Sequence, residues 1–183
     1  MNADRSLRAA DERDRELAFR VTKEARVCAD RPDVANLGLV RPAFVYLGSI
    51  GLGLLVHLLW PTRLLPVSIS VPIGVVLVLV AVALFVPSVR TFQKAGTPVP
   101  GNRPTTVIVR TGPYGYSRNP IYLAFTLFQL GLAAWVNSLA ILLTLIPALA
   151  LMALVVVPRE ERYLEARFPS EYLSYKRAVR RWL

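Results

Sequence analysis

The sequence NPIYLAFTLFQLGLAAWVNSLAILLTLIPALALMALVVVP, from Asn119 to Pro158, contains no charged residue over 40 positions. Forty residues without a charge leave no polar face for water, which argues against a soluble helical protein. Since about 20 apolar residues span the hydrocarbon core of a bilayer, this run is long enough for two membrane helices. We expect the two helices to be joined by a turn at Trp135-Val-Asn-Ser138.

Two more uncharged runs precede this one, from Pro42 to Thr62 and from Leu64 to Val89, and the mean hydropathy of the whole chain is +0.45. The sequence therefore predicts an all-α integral membrane protein with about four transmembrane helices. The third helix is expected to be short, about 24 Å at 1.5 Å per residue, and to lie tilted or shallow. The predicted spans are 42–60, 67–87, 121–136 and 139–157.

Basic residues are distributed unevenly between the connecting segments of this chain of net charge +10. The segment from Ser88 to Arg118 holds five Arg or Lys and no acid, and the tail from Arg159 is also basic, whereas the other two connectors hold only Arg63. The positive-inside rule then predicts that both termini and the long loop face the cytoplasm. Anionic membrane lipids are the expected partners of these basic segments, and no nucleic acid is expected.

Residues 1–41 form a charged N-terminal segment, predicted to be cytoplasmic and separate from a membrane domain at 42–183. The segment lacks the apolar run of a signal peptide, so none is expected. A thin apolar stripe at Leu17, Val21, Ala25 and Cys28 offers a surface for the membrane, the loop or a second subunit, so an oligomer is possible; a loosely ordered tail is equally compatible. With one cysteine and one histidine in the chain, no metal site is expected.

Two polar clusters flank the 40-residue run, and the functional predictions rest on them. The first, Arg110-Thr-Gly-Pro-Tyr-Gly-Tyr-Ser-Arg-Asn-Pro-Ile-Tyr122, belongs to a loop at 90–120 and has more tyrosines and arginines than a connector needs. The second is Glu160-Glu161-Arg162-Tyr163. Carboxylates near a bilayer are costly without partners, so we expect them to meet a loop arginine such as Arg118, or a ligand.

The loop and the tail also carry local structural signals. Phe92 to Pro104 is rich in turn residues and is predicted to be non-helical, and Thr105 to Val109 is predicted to be extended. Asn119 is a plausible helix N-cap before Pro120, which would explain both residues structurally. The tail at 159–183 is predicted to form a helix to Phe168, a break at Pro169, and a second, amphipathic helix with a basic side.

These motifs occur in an order that resembles the isoprenylcysteine carboxyl methyltransferase family, whose bacterial members are related to the phospholipid N-methyltransferases. The resemblance rests on Thr-Gly-Pro-Tyr, Arg-Asn-Pro-Ile-Tyr, a two-helix hairpin, Glu-Glu-Arg-Tyr-Leu and Phe-Pro-Ser-Glu-Tyr, and covers about Phe92 to Leu183. It implies an enzyme of the bacterial inner membrane, with S-adenosyl-L-methionine as cofactor and an active site facing the cytoplasm. The implied cofactor-binding residues are Thr106, Val107, Ile108, Val109, Tyr114, Asn119, Pro120, Ile121, Tyr122 and Glu160.

Arg118 and Glu161 are the candidate catalytic residues. Arg118 is placed to orient an anionic acceptor, and a salt bridge to Glu160 or Glu161 is the equally weighted alternative. The family often has histidine where this chain has Asn119, which does not titrate near neutral pH and so is a doubtful base. Without an obvious base, methyl transfer to a lipophilic carboxylate or thiol is favoured, and the alternatives are an amine N-methyltransferase and a membrane scaffold that binds anionic lipid. A transporter is disfavoured because the spans hold few polar residues.

Overall fold

The computed structural model of the protein describes residues 41–98 and 104–182. Within these ranges the regular structure is entirely helical and contains no strand, which confirms the predicted all-α class. A short 3-10 turn at Gly112–Gly115 and a π-helical turn at Met152–Val156 complete the regular structure of this part. The α-helices are α1 (Pro42–Leu59), α2 (Val67–Lys94), α3 (Pro120–Trp135), α4 (Leu139–Leu151), α5 (Val157–Arg167) and α6 (Pro169–Ala178). The N-terminal stripe from Leu17 to Cys28 lies outside the described residues.

Three helical segments of the described chain are long and apolar enough to cross a membrane: α1, α2, and the continuous helix from Leu139 to Arg167. The fourth apolar helix, α3, has 16 residues, about 24 Å at 1.5 Å per residue, and falls short of the 30 Å of a typical hydrocarbon core. A short third helix is what the sequence predicts.

Glycines allow the helices of this bundle to approach closely. A Cβ added at Gly74 of α2 would lie 2.4 Å from the backbone nitrogen of Trp135 at the end of α3, and one added at Gly131 of α3 would lie 2.9 Å from the backbone nitrogen of Val78. Gly53 of α1 makes the same kind of contact with the Cα of Ile141 in α4, at 2.7 Å. Small residues at crossing points are typical of membrane helix pairs, where packing replaces the hydrophobic effect.

The turn between α3 and α4 lies where the sequence predicts it, at 135–138. Asn137 has a left-handed backbone, with φ 57°, and its side-chain oxygen accepts hydrogen bonds from the backbone N–H groups of Leu64 and Leu65, at 2.8 and 3.0 Å. Ser138 caps α4 by accepting from the N–H of Ile141. The bonds of Asn137 join the α1–α2 connector to the α3–α4 connector, at the end of the bundle that has few basic residues.

Two helix ends differ from the sequence expectations. Helix α2 continues to Lys94, so the prediction that Phe92 to Pro104 is non-helical is wrong for its first three residues. The physical reason is the burial of Phe92, whose ring packs edge-on against that of Tyr114 with centroids 4.9 Å apart.

The helix that begins at Leu139 also continues past residue 157, where the sequence predicts the end of the fourth span. It passes through the π turn at Met152–Val156 and reaches Arg167, a total of 29 residues. A proline removes one backbone N–H from the helical ladder and crowds the carbonyl four residues earlier, and a π turn is a common way to absorb such a defect. At 1.5 Å per residue the helix is about 43 Å long, well beyond the hydrocarbon thickness. Because its charged residues begin at Arg159, the membrane-crossing part ends near Pro158 and α5 projects from it.

Candidate functional site

The two polar clusters of the sequence meet at the end of the bundle. Tyr122, in the first turn of α3, donates a hydrogen bond of 2.6 Å from its hydroxyl to Oε1 of Glu160 in α5. Both side chains are buried, with Glu160 6% and Tyr122 7% exposed. Pro120 fixes where α3 begins, and Glu160 lies just after the π turn of the continuous helix that ends at Arg167.

Around this hydrogen bond lies a cleft of about 670 Å³, a value that includes the solvent at its mouth. The cleft itself encloses only about 70 Å³, less than the roughly 300 to 1,000 Å³ of typical small-molecule sites, so a larger ligand would extend through its open mouth. The walls combine apolar side chains with a few convergent polar groups, as such sites usually do. They are formed by Phe92, Thr105, Val107, Ile108, Val109, Tyr114, Arg118, Asn119, Ile121, Tyr122, Glu160, Glu161, Leu164, Tyr172 and Tyr175.

Glu160 is the most strongly perturbed carboxyl group of the cleft. Burial raises its pKa to about 7, and the neighbouring carboxylate of Glu161 contributes in the same direction. The hydrogen bond from Tyr122 opposes the shift because it stabilises the charged form. Glu160 can therefore gain or lose a proton near neutral pH.

The tyrosines of the cleft keep their protons at neutral pH. Burial raises the pKa of Tyr172 to about 12 and also raises those of Tyr114 and Tyr175. The hydroxyl of Tyr175 donates a 2.8 Å bond to the backbone oxygen of Tyr114, which fixes α6 against the 3-10 turn. These rings act as neutral walls and hydrogen-bond donors.

Glu161, the next residue, has a different environment, because two arginines face its carboxylate. Arg181 donates from Nε and Nη2 to the two carboxylate oxygens at 3.0 and 2.6 Å, in the bidentate arrangement favoured by guanidinium groups. Nη1 of Arg118 lies 3.0 Å from Oε1. The sequence allows two interpretations of Arg118. The structure contains the ion pair, and its partner is Glu161.

Arg118 nevertheless keeps unused hydrogen-bond donors. Its side chain is 9% exposed, and its buried Nε and Nη1 atoms have no acceptor in hydrogen-bond geometry within the part of the chain described. The short Nη1 to Glu161 distance is an ion-pair contact whose direction does not suit a hydrogen bond. Buried donors without acceptors cost free energy, so an acceptor supplied by a ligand would be stabilised here.

The chain from Thr105 to Val109 forms one wall of the cleft without helix or strand structure. Its start is fixed, because the N–H of Thr105 donates to the Tyr163 hydroxyl and its carbonyl accepts from Nε of Arg167. Among residues 41–98 and 104–182, no hydrogen bond involves a backbone group of Val107 or Ile108. The peptide groups between Thr106 and Val109 can thus pair with a ligand.

The cleft brings together most of the residues predicted from the sequence, including both candidate catalytic residues, Arg118 and Glu161. Thr106 and Pro120 are the exceptions. The N–H of Thr106 donates to Oγ1 of Thr97, and Pro120 is buried as the first residue of α3. Asn119 occupies the N-cap position, but its side chain does not cap the helix; Nδ2 donates to the carbonyl of Arg181 at 3.0 Å.

Sequence reasoning missed five residues of the cleft wall. Tyr172 and Tyr175, three apart on α6, share a helix face, and this spacing could have indicated their common burial. Leu164 lies four residues after Glu160 on the same helix face, so its position was also open to sequence reasoning, whereas Phe92 and Thr105 reach the cleft through tertiary packing.

The fold and the cleft define a helical membrane protein with a candidate ligand site at one end of its bundle. The chain belongs to the phospholipid methyltransferase family, whose model matches residues 69–171. The matched range includes the tyrosine-rich loop, the α3–α4 hairpin and both glutamates. The protein is thus a member of a family of membrane methyltransferases.

Several curated proteins are similar to part of the chain. The cobalt-zinc-cadmium resistance protein CzcN of Cupriavidus metallidurans is 40% identical over 75 residues, which are 41% of this chain and 34% of that protein. The nickel-cobalt-cadmium resistance protein NccN of Alcaligenes xylosoxydans xylosoxydans is 36% identical over 75 residues, 41% of this chain and 35% of that protein. An uncharacterized protein of Haemophilus influenzae is 44% identical over 64 residues, 34% of this chain and its own full length. The matches thus span about a third of the two resistance proteins. No solved structure matches the chain significantly.

Proposed function

We propose that the protein is an integral-membrane methyltransferase that uses S-adenosyl-L-methionine and methylates a lipophilic acceptor. The observation that carries the proposal is the Tyr122–Glu160 hydrogen bond, because it unites the loop motif and the glutamate motif in one buried cleft. Membership of the phospholipid methyltransferase family supports the reaction type. The basic loop and tail support a cytoplasmic orientation of the cleft in a bacterial inner membrane.

The residues of the cleft suit the chemical groups of this cofactor. Its adenine has a flat apolar face and a hydrogen-bonding edge, which match Tyr114 and the unpaired peptide groups near Val107 and Ile108. Its ribose hydroxyls and its ammonium group match the carboxylate of Glu160. The α-carboxylate of the cofactor, or an anionic acceptor, matches the spare donors of Arg118.

S-adenosyl-L-methionine, when bound, supplies an electrophilic methyl group on a sulfonium, so the protein has to position and desolvate the reactants. Burial of Glu160 and Tyr122 removes both side chains from bulk solvent. The hydroxyl of Tyr122 orients the Glu160 carboxylate, and Arg118 fixes an anionic group by its spare N–H donors. With Glu161 held by two arginines, its role is electrostatic, since it balances their charge within the cleft.

A lipophilic carboxylate or thiol remains the proposed acceptor. A specific observation also favours a second candidate, an amine such as a phospholipid headgroup. A protonated amine must lose a proton before it accepts a methyl group, and the pKa of Glu160, about 7, is suitable for a general base. The sequence alone did not indicate Glu160 as a base, because its pKa is raised by burial, which only the folded structure shows.

Transfer of a tritiated methyl group tests the proposed reaction. The purified protein is incubated with labelled cofactor in parallel reactions, each with one class of acceptor: bacterial lipid extract, fatty acids or lipophilic thiols. The products are then distinguished by their lability to base. A carboxyl methyl ester releases volatile label in alkali, whereas a methylated amine or thioether does not. Label transfer that requires Glu160 supports the proposal. If folded protein transfers nothing to any class, a scaffold that binds anionic lipid becomes the better account.

A further inference from the structure

The last described residues, Arg180–Trp182, form a C-terminal strap against the loop that precedes α3. Ser117 pairs with Arg180 in an isolated parallel bridge, and the N–H of Arg118 donates to the Arg180 carbonyl at 3.0 Å. The carbonyl of Arg181 accepts from Nδ2 of Asn119, and Trp182 packs against the hydrophobic core. The strap is therefore fixed to the loop side of the cleft by its backbone.

From this strap, the Arg181 side chain crosses to α5 and occupies both oxygens of Glu161. Nη1 of Arg118 approaches Oε1 of the same carboxylate, the oxygen that also accepts from Nε of Arg181. A guanidinium group pairs with a free carboxylate by two parallel hydrogen bonds where both oxygens are accessible. The occupied oxygens of Glu161 deny Arg118 that arrangement.

We propose that Arg181 is a positioning residue for the cleft: it pairs with Glu161 from outside and thereby keeps Arg118 available to a ligand. The inference rests on the proposed function, since it concerns the same cofactor cleft. Without Arg181, Glu161 would pair with Arg118 through both oxygens and remove its spare donors. Glu161 would then face one arginine instead of two, and its less compensated negative charge would oppose the ionisation of the neighbouring Glu160.

The test compares the affinity of the full-length protein and its variants for S-adenosylhomocysteine, measured by titration calorimetry in detergent at pH 7. Arg181→Gln is expected to weaken binding about tenfold, the loss that corresponds to one charge-assisted hydrogen bond from Arg118 to the ligand. Arg181→Lys, which keeps the charge but cannot form the two parallel hydrogen bonds, should recover only part of the affinity. The double variant Glu161→Gln/Arg181→Gln should bind within about threefold of the parent, because the carboxylate that would capture Arg118 is gone.

Arg180→Gln is the matched control, because it removes the same charge from the next residue of the strap. The Arg180 side chain is exposed, and the described residues offer it no hydrogen-bond or ion-pair partner, so this change should leave affinity unaltered. Thermal unfolding verifies that each variant is folded. If Arg181→Gln does not fold, the double variant decides: near-parent affinity supports the proposal and a large loss overturns it. Parent-like binding by folded Arg181→Gln also overturns it, whereas a parent that does not bind at all defeats the proposed function itself.

Discussion

The protein contains two buried polar clusters that differ in how completely their hydrogen bonds are satisfied. In the bundle, the Gln129 amide nitrogen donates to Oγ of Ser49 at 2.6 Å and to the Ile141 carbonyl at 3.2 Å, and the Ser49 hydroxyl donates to the Thr144 carbonyl. Among the described residues, only the Gln129 oxygen lacks a partner there. In the cleft, two buried nitrogens of Arg118 find no hydrogen-bond acceptor within 41–98 and 104–182, and they lie beside a carboxyl group that titrates near neutral pH.

This difference indicates different roles. The bundle cluster consists of uncharged groups and joins α1, α3 and α4, so its donors form hydrogen bonds that hold the helices together. The cleft cluster is charged and leaves donors and peptide groups unpaired, an arrangement that costs stability unless a ligand completes it. We therefore expect changes in the bundle to alter stability alone and changes in the cleft to alter ligand binding.

The largest effect is expected from Gly74→Ala in the bundle. The added Cβ would lie 2.4 Å from the backbone nitrogen of Trp135, which cannot move like a flexible side chain. The helices α2 and α3 would have to separate, at a cost of about 3 kcal/mol or more. Thermal unfolding in detergent measures the loss. Gly51→Ala is the control, because a Cβ there meets nothing within 4 Å; an equal loss in both variants would contradict close packing at Gly74.

The next largest effect is expected in the cleft, from Glu160→Gln. Loss of a charge-assisted hydrogen bond to the ligand should weaken binding of S-adenosylhomocysteine by about 1.5 to 3 kcal/mol. Glu161→Gln should weaken it less, because Arg118 and Arg181 already occupy that carboxylate. Calorimetry on both variants gives the order. A larger loss in Glu161→Gln would show that the roles of the two glutamates are assigned the wrong way round.

Binding in the cleft should also depend on pH. The pKa of Glu160 is raised to about 7, so its carboxyl group is protonated below that pH and charged above it. The affinity of a ligand that needs the carboxylate should level off about one unit above pH 7 and fall below pH 7 with a slope that approaches tenfold per unit. Calorimetry between pH 5.5 and about 8 measures the profile. Glu160→Gln should flatten it, and an unchanged slope in that variant would assign the titration to another group.

The smallest effect is expected from Gln129→Met in the bundle. Methionine fills a similar volume without the amide, so the loss is limited to hydrogen bonds inside the membrane, which are worth about 0.6 to 1.7 kcal/mol each. Ligand affinity should not change, because Gln129 is not part of the cleft wall. Unfolding and calorimetry together test the separation of the two clusters. Weaker ligand binding in a stable Gln129→Met protein would show that the clusters are coupled.

The sequence predicts the helices of this protein better than the walls of its cleft. The uncharged runs identify the apolar helices, and the turn at 135–138 follows from the length of a span. The extension of α2 through Phe92 and the π turn before Pro158 depend on packing and on the relief of a proline defect, which no local pattern specifies. The loop and glutamate motifs indicated a common site, whereas the pairing of Arg181 with Glu161 joins residues 20 positions apart through tertiary structure.

The central claim is that the loop and the paired glutamates form one site for S-adenosylmethionine, and a titration of the purified protein with S-adenosylhomocysteine tests it most directly. The account predicts saturable binding with micromolar affinity in detergent, with one ligand per chain, and strong weakening by Glu160→Gln. The folded state is verified by a cooperative thermal transition in the same detergent. Failure of the well-folded protein to bind at millimolar ligand would contradict the account, as would binding that Glu160→Gln leaves unchanged.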